Sequence, residues 1–321
     1  MRADEHVHVF GEGARVKASF DAPDMLRDFY ERVHTLPISE DGNVNFAVGA
    51  SLLGVTPIVD VISADFLYRC ADSIINTAAK MAATRSTERH TIVIRAETLL
   101  GGPTTGQRPE AMFCHVPGIN VVVPSTPHDS YGLMATALET PGVTLFLEDR
   151  MIEDAGPWHD DDLHVGPIVP FGVIKVRPLP MTAKVRKMPV VTVLTYGVMR
   201  QRVERCLGEW LEAWKGDLYV EPYYAVDLLD LRSLSPVDYD YLLNGRYGLG
   251  RTGRLLIVEP DIAEYGIGAE IAATVAERAL HVRVKRLGSK NKVTPAAPSL
   301  VKAMLPSDDD IKGALDALVT K

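Results

Sequence analysis

The sequence is poor in several features at once. It holds three cysteines, Cys70, Cys114 and Cys206, in 321 residues. Three thiols build no disulfide framework, and their spacing is not that of a zinc site. No run of lysine or arginine stands out: 34 basic residues are spread against 42 acidic ones, for a net charge of −8. Nucleic acid and anionic membrane surfaces demand a basic patch, so neither is an expected partner. Long hydrophobic runs are missing too. The most weakly polar stretch, Phe46 to Ile62, is interrupted by Gly49, Gly54, Pro57 and Asp60, whereas a membrane span takes about 20 mainly apolar residues. The opening MRADEHVHVF lacks the basic-then-apolar order of a targeting segment. These absences leave an expected soluble chain of a reducing compartment, the cytoplasm.

What is present is ordinary globular material, with 46% hydrophobic and 24% charged residues. The length suits two domains of about 100–200 residues each. Short, largely β-branched runs predict strands at Val7–Phe10, Thr56–Val61, Thr91–Arg95, Asn120–Val123, Thr144–Glu148, Val190–Tyr196, Tyr224–Leu228, Arg254–Val258 and Val282–Arg286. Most are apolar on consecutive positions, the mark of strands covered on both faces. Amphipathic stretches between them predict helices at Asn43–Leu53, Asp65–Ala83, Asp129–Glu139, Met199–Trp214, Gly268–Leu280 and Asp308–Leu318. The last is introduced by Ser307 with Asp310 three residues on, a capping-box pattern. Alternating β and α elements predict an α/β fold of two domains, each a mostly parallel sheet flanked by helices. The first domain is placed at 1–165 and the second at 189–321. A linker, 166–188, lies within a stretch rich in Pro, Gly and charge.

Several motifs fail on context. Gly248-Leu-Gly-Arg-Thr-Gly253 spells GxGxxG, but it precedes a strand where a dinucleotide site would follow one. Gly266-Ile-Gly268 does lie between a strand and a helix; it is a turn, or an approach to an anion. There is no Walker sequence and no GxSxG. The cluster His159, Asp160, Asp161, Asp162 and His164 has metal-ligand residue types without metal-ligand spacing and reads as a solvated acidic loop. His6 and His8 alternate on a strand, and Tyr219, Tyr223 and Tyr224 read as packing. Ser39 precedes Glu40 and Asp41 as a helix N-cap would, with two acids favourable to the helix dipole. Gly101–Gly106, GGPTTG, is a loop after a buried strand, a common place for ligand contacts.

Taken in order, the blocks LPISEDGNVNFAVGASLLGVTPIVDV, DFLYRCADSIINTAAKMAATRS, TIVIRAE and GQRPEAMFCHVPGINVVVPSTPHDSYGLM carry a resemblance. So do VDLLDLRSLSPVD, GRLLIVEPDIAEYGIGAEIAATVAER and APSLVKAMLPSDDDI further on. The chain resembles the β subunit of thiamin-diphosphate-dependent 2-oxo acid dehydrogenases of the pyruvate and branched-chain types. The likeness spans nearly the whole sequence and is loosest over 150–188. It implies a transketolase-like pyrimidine-binding domain followed by a transketolase C-terminal-like domain. It also implies a cofactor shared with an α-type partner in a heterotetramer. The partner holds the diphosphate and Mg2+; this sequence has neither the Gly-Asp-Gly triplet nor the Asn-Asn pair of that motif. A lipoyl acyltransferase is the implied acyl acceptor, and a mitochondrial matrix is the implied compartment if the source is eukaryotic. The resemblance further implies a helix before the first strand, which this sequence does not contain.

Residue by residue, Glu40 falls on the family glutamate that hydrogen-bonds the aminopyrimidine and passes a proton. Phe66 falls on the aromatic that stacks on that ring, and Ile62 on a position lining it. Glu12 falls on a glutamate near the cofactor. The departure is at the substrate side. Family members read His-Ser-Gln-Ser-Pro-Glu where this chain reads Thr105-Gly106-Gln107-Arg108-Pro109-Glu110. Thr105 therefore replaces a histidine that assists acyl transfer, and a hydroxyl cannot act as an acid–base near neutral pH as imidazole does. Thr105 and Gln107 are the substrate-side candidates. The readings left open are a standard dehydrogenase subunit, a carboligase or non-oxidative decarboxylase subunit, and a non-catalytic β-like subunit. If the pocket is otherwise family-like, Thr105→His should speed single-turnover acylation of a lipoyl acceptor by about tenfold or more; no gain would mean that the acceptor site has changed.

Overall fold

The computed structural model describes residues 1, 4–15, 27–84, 90–98, 101–153, 169–172, 174–178, 189–215, 225–246, 248–278 and 281–320. Its strands are β1 (Val7–Glu12), β2 (Val33–Leu36), β3 (Thr56–Ser63), β4 (Thr91–Thr98), β5 (Ile119–Val122), β6 (Gly142–Asp149), β7 (Lys175–Pro178), β8 (Val190–Thr195), β9 (Ala225–Asp230), β10 (Ser233–Ser235), β11 (Arg254–Ile262) and β12 (Arg283–Ser289). The chain divides into two units, Met1–Phe171 with Leu234–Pro236, and Gly172–Ser233 with Val237–Lys321.

The first unit is built on a seven-stranded sheet in the order β10-β5-β6-β4-β3-β1-β2. The pairs from β5 through β2 are parallel. Ile92, Val93 and Ile94 are all fully buried, as are Val143, Leu145, Phe146 and Leu147. Consecutive buried positions require cover on both faces, which explains why these strands do not alternate in polarity. One face carries Val7, Val9, Val33, Ile58, Val93, Val122 and Phe146, packed against Leu133 and Ala137 of helix Pro127–Glu139. Helix Glu40–Leu52 buries Val44, Ala47 and Val48 and packs on β3 and β4.

The second unit carries the order β12-β11-β8-β9-β7, parallel except for the antiparallel β7–β9 pair. Helix Asp308–Val319 buries Ile311, Ala314, Leu315 and Leu318 and packs on β11 and β12. The Gly266-Ile-Gly268 turn closes over an internal anion: Gly268 N–H donates to Glu259 Oε2 at 3.0 Å, and Glu259 is fully buried. A Cβ on Gly268 would lie 2.6 Å from Glu259 Oε1. The chain's own carboxylate thus takes the place at the N-terminus of helix Ile267–Arg278. Gly248–Gly253 forms a short helical turn leading into β11.

All nine expected strands are present; β2, β7 and β10, of four, four and three residues, are additional. Two expected helices differ. The helix placed at Asn43–Leu53 begins at Glu40. Ser39 occupies its N-cap with no side-chain capping bond; the Ser39 carbonyl instead accepts from Asn43 N–H at 2.8 Å. The stretch placed as one helix at Asp65–Ala83 is a 3-10 turn (Ala64–Tyr68), a π segment (Ser73–Ala78) and an α segment (Ala79–Thr84). Tertiary hydrogen bonds to Asp65 and Ser73, described below, compete with a regular helix there. The acidic cluster His159–His164 and the tyrosines 219, 223 and 224 lie outside the described residues.

The capping box is formed as expected: Asp310 N–H donates to Ser307 Oγ at 3.1 Å, and Ser307 N–H to Asp310 Oδ2 at 2.8 Å. Ser307→Ala should therefore cost about 1 kcal/mol in the second unit, read as a lower denaturant midpoint with unchanged slope.

Candidate functional site

In an open parallel sheet, ligands bind beyond the carboxyl ends of the strands. In the first unit that edge is irregular by design of its side chains. The β3–β4 pairing runs Asp60↔Arg95 and then shifts to Ser63↔Glu97, so β3 spends one extra residue. Ile62 sits in this bulge with φ +67°. A β-branched residue there costs about 1–3 kcal/mol and persists only if its neighbours hold it. Ile62 N–H donates to Asp60 Oδ1 at 3.2 Å. Asp60 is in turn paired to Arg95 at 3.2 Å, and Arg95 also meets Glu148 at 2.5 Å and Glu97 at 3.3 Å. The buried guanidinium and its carboxylates thus pin the strained bulge.

Glu40 is the first residue of its helix. Its carboxylate lies 3.4 Å from Arg69 Nε, with Glu40 14% and Arg69 72% exposed. A pair that open adds little stability, but it fixes where the Glu40 carboxylate stands. Arg69 belongs to the turn that carries Phe66: Arg69 N–H donates to the Phe66 carbonyl at 3.0 Å. The next helical residue is tied to the same segment, since Ser73 Oγ donates to the Asp41 carboxylate and accepts from Asn45 Nδ2 at 2.6 Å. Phe66 is half-buried. Cys70, one turn on, is a buried thiol pushed up to about 12 by burial and then by the charges of Glu40 and Asp41; it stays protonated and is no nucleophile.

Glu12 ends β1 opposite Leu36 of β2, the strand that leads to Glu40. The substrate-side candidates lie on the loop after β4. Thr105 Oγ1 donates to the Gly101 carbonyl at 2.5 Å; Gly101 and Gly102 have φ +82° and +96°, values that favour glycine. The Thr105 hydroxyl is thus used to close its own loop. Gln107 N–H donates to Asp65 Oδ2 at 2.9 Å, joining this loop to the Phe66 turn.

The structure therefore ties the start of helix Glu40–Leu52 to the 64–68 turn of Phe66 through Arg69, sets Ile62 near the end of β3 just before that turn, and joins the loop of Thr105 and Gln107 to the turn through Gln107 and Asp65. Sequence reasoning missed Asp60, Asp65, Arg69, Ser73 and Arg95. The signal for two of these was charge inside an apolar strand, in PIVDV and TIVIRAE. Among the described residues no group of three or more His, Cys, Asp or Glu is arranged to hold a metal ion, and no helix is long and apolar enough to cross a membrane.

A parallel-sheet unit with a strained bulge, an aromatic turn and a helix-start carboxylate at its strand ends, followed by a second α/β unit, defines a transketolase-type chain. Residues 1–152 match the transketolase pyrimidine binding domain and residues 182–311 the transketolase C-terminal domain. The fold is shared with a split gene transketolase solved as an inactive β4 tetramer: TM-score 0.75 at 20% identity, covering 99% of this chain and 93% of that one. Within this class, 2-oxoisovalerate dehydrogenase subunit beta of Pseudomonas aeruginosa is 32% identical, covering 88% of this chain and 80% of the relative. Pyruvate dehydrogenase E1 component subunit beta of Rickettsia bellii is 30% identical over 98% and 93%. Acetoin:2,6-dichlorophenolindophenol oxidoreductase subunit beta of Cupriavidus necator is 30% identical over 88% and 79%. The chain belongs to the family of β subunits of thiamin-diphosphate-dependent 2-oxo acid dehydrogenases.

Asp65 gives this site a pH signature. Burial raises its pKa, and the Gln107 hydrogen bonds only partly oppose this. Its contribution to stability is fully present below the ordinary aspartate pKa of about 3.9 and is lost as pH rises through the elevated folded value. Asp65→Asn keeps an acceptor for Gln107 N–H and removes the charge. Its stability relative to wild type should therefore improve as pH rises from about 4 to 7, read as the difference in unfolding midpoints; a difference independent of pH would refute the buried-charge account.

Proposed function

We propose that this chain is the pyrimidine-side subunit of an enzyme that decarboxylates a 2-oxo acid with thiamin diphosphate and passes on the acyl unit. It works with an α-type partner in a cytoplasmic heterotetramer. The observation that carries this reading is the tie between Glu40 and the Phe66 turn, made by Arg69 at 3.4 Å, with the strained Ile62 just before that turn in the chain. A half-buried aromatic, a carboxylate set at a helix start and a backbone bulge held by buried charge are a fitting receptor for an aminopyrimidine. Residues 1–165 belong to this pyrimidine domain and 189–321 to the second domain; the stretch between, 166–188, is no bare linker, since Val169 packs in the first core and Lys175–Pro178 adds a strand to the second sheet.

When bound, thiamin diphosphate supplies the electron sink for loss of carbon dioxide. The residues of this chain do the rest. Glu40 would hydrogen-bond a ring nitrogen of the pyrimidine and exchange a proton with it. Phe66 would stack on the ring and Ile62 would line it, setting orientation through apolar contact. Glu12 would lie near the ring, and Thr105 and Gln107 would be on the side of the oxo acid. The diphosphate and Mg2+ belong to the partner, because this sequence lacks the Gly-Asp-Gly and Asn-Asn landmarks. A partner also accounts for the apolar side chains exposed around the Glu40 helix, Ile38, Phe46, Leu52 and Leu53; such a patch is covered in a working assembly.

One observation favours a second reading, a carboligase or non-oxidative decarboxylase subunit. The residue in the family's histidine position spends its hydroxyl on the Gly101 carbonyl and offers no acid–base group to a lipoyl acceptor. Co-purification with a partner carrying both landmarks, supplied with thiamin diphosphate and Mg2+, separates the readings. Carbon dioxide release with acylation of a lipoyl acyltransferase supports the dehydrogenase; release without acylation supports the second reading; no cofactor binding sinks both. In the assembled complex, Glu40→Gln should slow proton exchange at the thiazolium carbon by about 100-fold or more, with the melting temperature unchanged. Exchange at the wild-type rate would remove Glu40 from the proton relay.

A further inference from the structure

The loop that carries Thr105 and Gln107 is followed at once by a buried arginine. The Arg108 side chain is 3% exposed, and its Nε donates to Glu110 Oε1 at 2.7 Å. Its Nη1 donates to the Asp149 carboxylate and to Thr98 Oγ1 at 3.2 Å, and the Thr98 hydroxyl donates to the same aspartate. The Glu110 and Asp149 side chains have no exposure at all. Thr98 and Asp149 are the facing last residues of β4 and β6. Arg108 is therefore fastened to the end of the sheet, while the amide of the preceding residue, Gln107, is held by Asp65.

Placing a guanidinium in the interior is strongly unfavourable unless its partners are well placed, so an arginine is not a neutral filler at this position. Its side chain reaches from the loop to the facing ends of two strands, β4 and β6. We propose that Arg108 is the positioning residue of the substrate-side loop. By pairing with Asp149 and Glu110 on one side while Asp65 holds Gln107 on the other, it fixes residues 101–107 against the Phe66 turn before substrate arrives. The clamp stands on geometry alone; its consequence for substrate rests on the function proposed above.

Amide hydrogen exchange on the full chain tests the clamp without reference to activity. Arg108→Ser leaves two buried carboxylates without their cation and should speed exchange of the Gln107 amide by about tenfold or more, with the β3 and β4 amides unchanged. Arg108→Met/Glu110→Gln/Asp149→Asn removes the cation and both carboxylate charges, so it should fold with a recovered melting temperature yet leave the Gln107 amide equally unprotected. It decides the matter alone if the serine variant does not fold. Wild-type protection of Gln107 in the triple variant would mean that Arg108 only packs, and overturns the proposal. In the complex with its partner, the same variants should raise KM for the oxo acid by about tenfold, with thiamin diphosphate affinity within about twofold of wild type. Lost protection with an unchanged KM would uphold the clamp and overturn the substrate role assigned to the loop.

Discussion

Buried charge at the carboxyl ends of β3, β4 and β6 is the constraint on which the first unit depends. Two guanidinium groups lie there, Arg95 among Asp60, Glu97 and Glu148, and Arg108 among Glu110 and Asp149. Because Glu97 faces Glu148 and Thr98 faces Asp149 in register, and successive strand residues point to opposite faces, the two clusters sit on opposite faces of the sheet. Removing one member of such a pair leaves its partner charged in the interior, at about 3–5 kcal/mol. An apolar sheet of the same shape could be as stable. What the charges add is direction: they hold a left-handed Ile62 and a glycine-rich loop in one arrangement each.

That direction extends into the helical layer. Asp41, Asn45 and Ser73 lock the start of helix Glu40–Leu52 to the π segment, and Arg69 meets Glu40 beside them. Each of these contacts is modest alone. Together they tie the Glu40 carboxylate to the segment that carries Phe66, on defined elements instead of a free loop. The site proposed above needs that stiffness more than it needs net stability. The Thr105 loop is stiffened by the same means, through Asp65 and Arg108. Its hydroxyl is turned inward to Gly101.

The α/β class, all nine expected strands and the capping of the last helix were legible in the sequence, because these follow from local composition: β-branched runs, helical period and a Ser-x-x-Asp signal. The family was legible too, through collinear blocks, and the proposed roles of Glu40, Phe66, Ile62 and Glu12 rest on that resemblance. Only the tertiary structure decided the rest. Asp65–Ala83 has a helical pattern, yet its side chains are claimed by Gln107, Asp41 and Asn45, residues up to about 40 positions away, and the helix breaks into three turns of different pitch. No local rule puts an isoleucine at φ +67°; a salt bridge between neighbouring strands does. Nor does any spacing reveal that Arg108 points into the sheet, since a guanidinium goes where its carboxylates are, and Asp149 is brought there only by strand pairing. Local preference chose the elements, and long-range charge pairing chose the conformations at their ends.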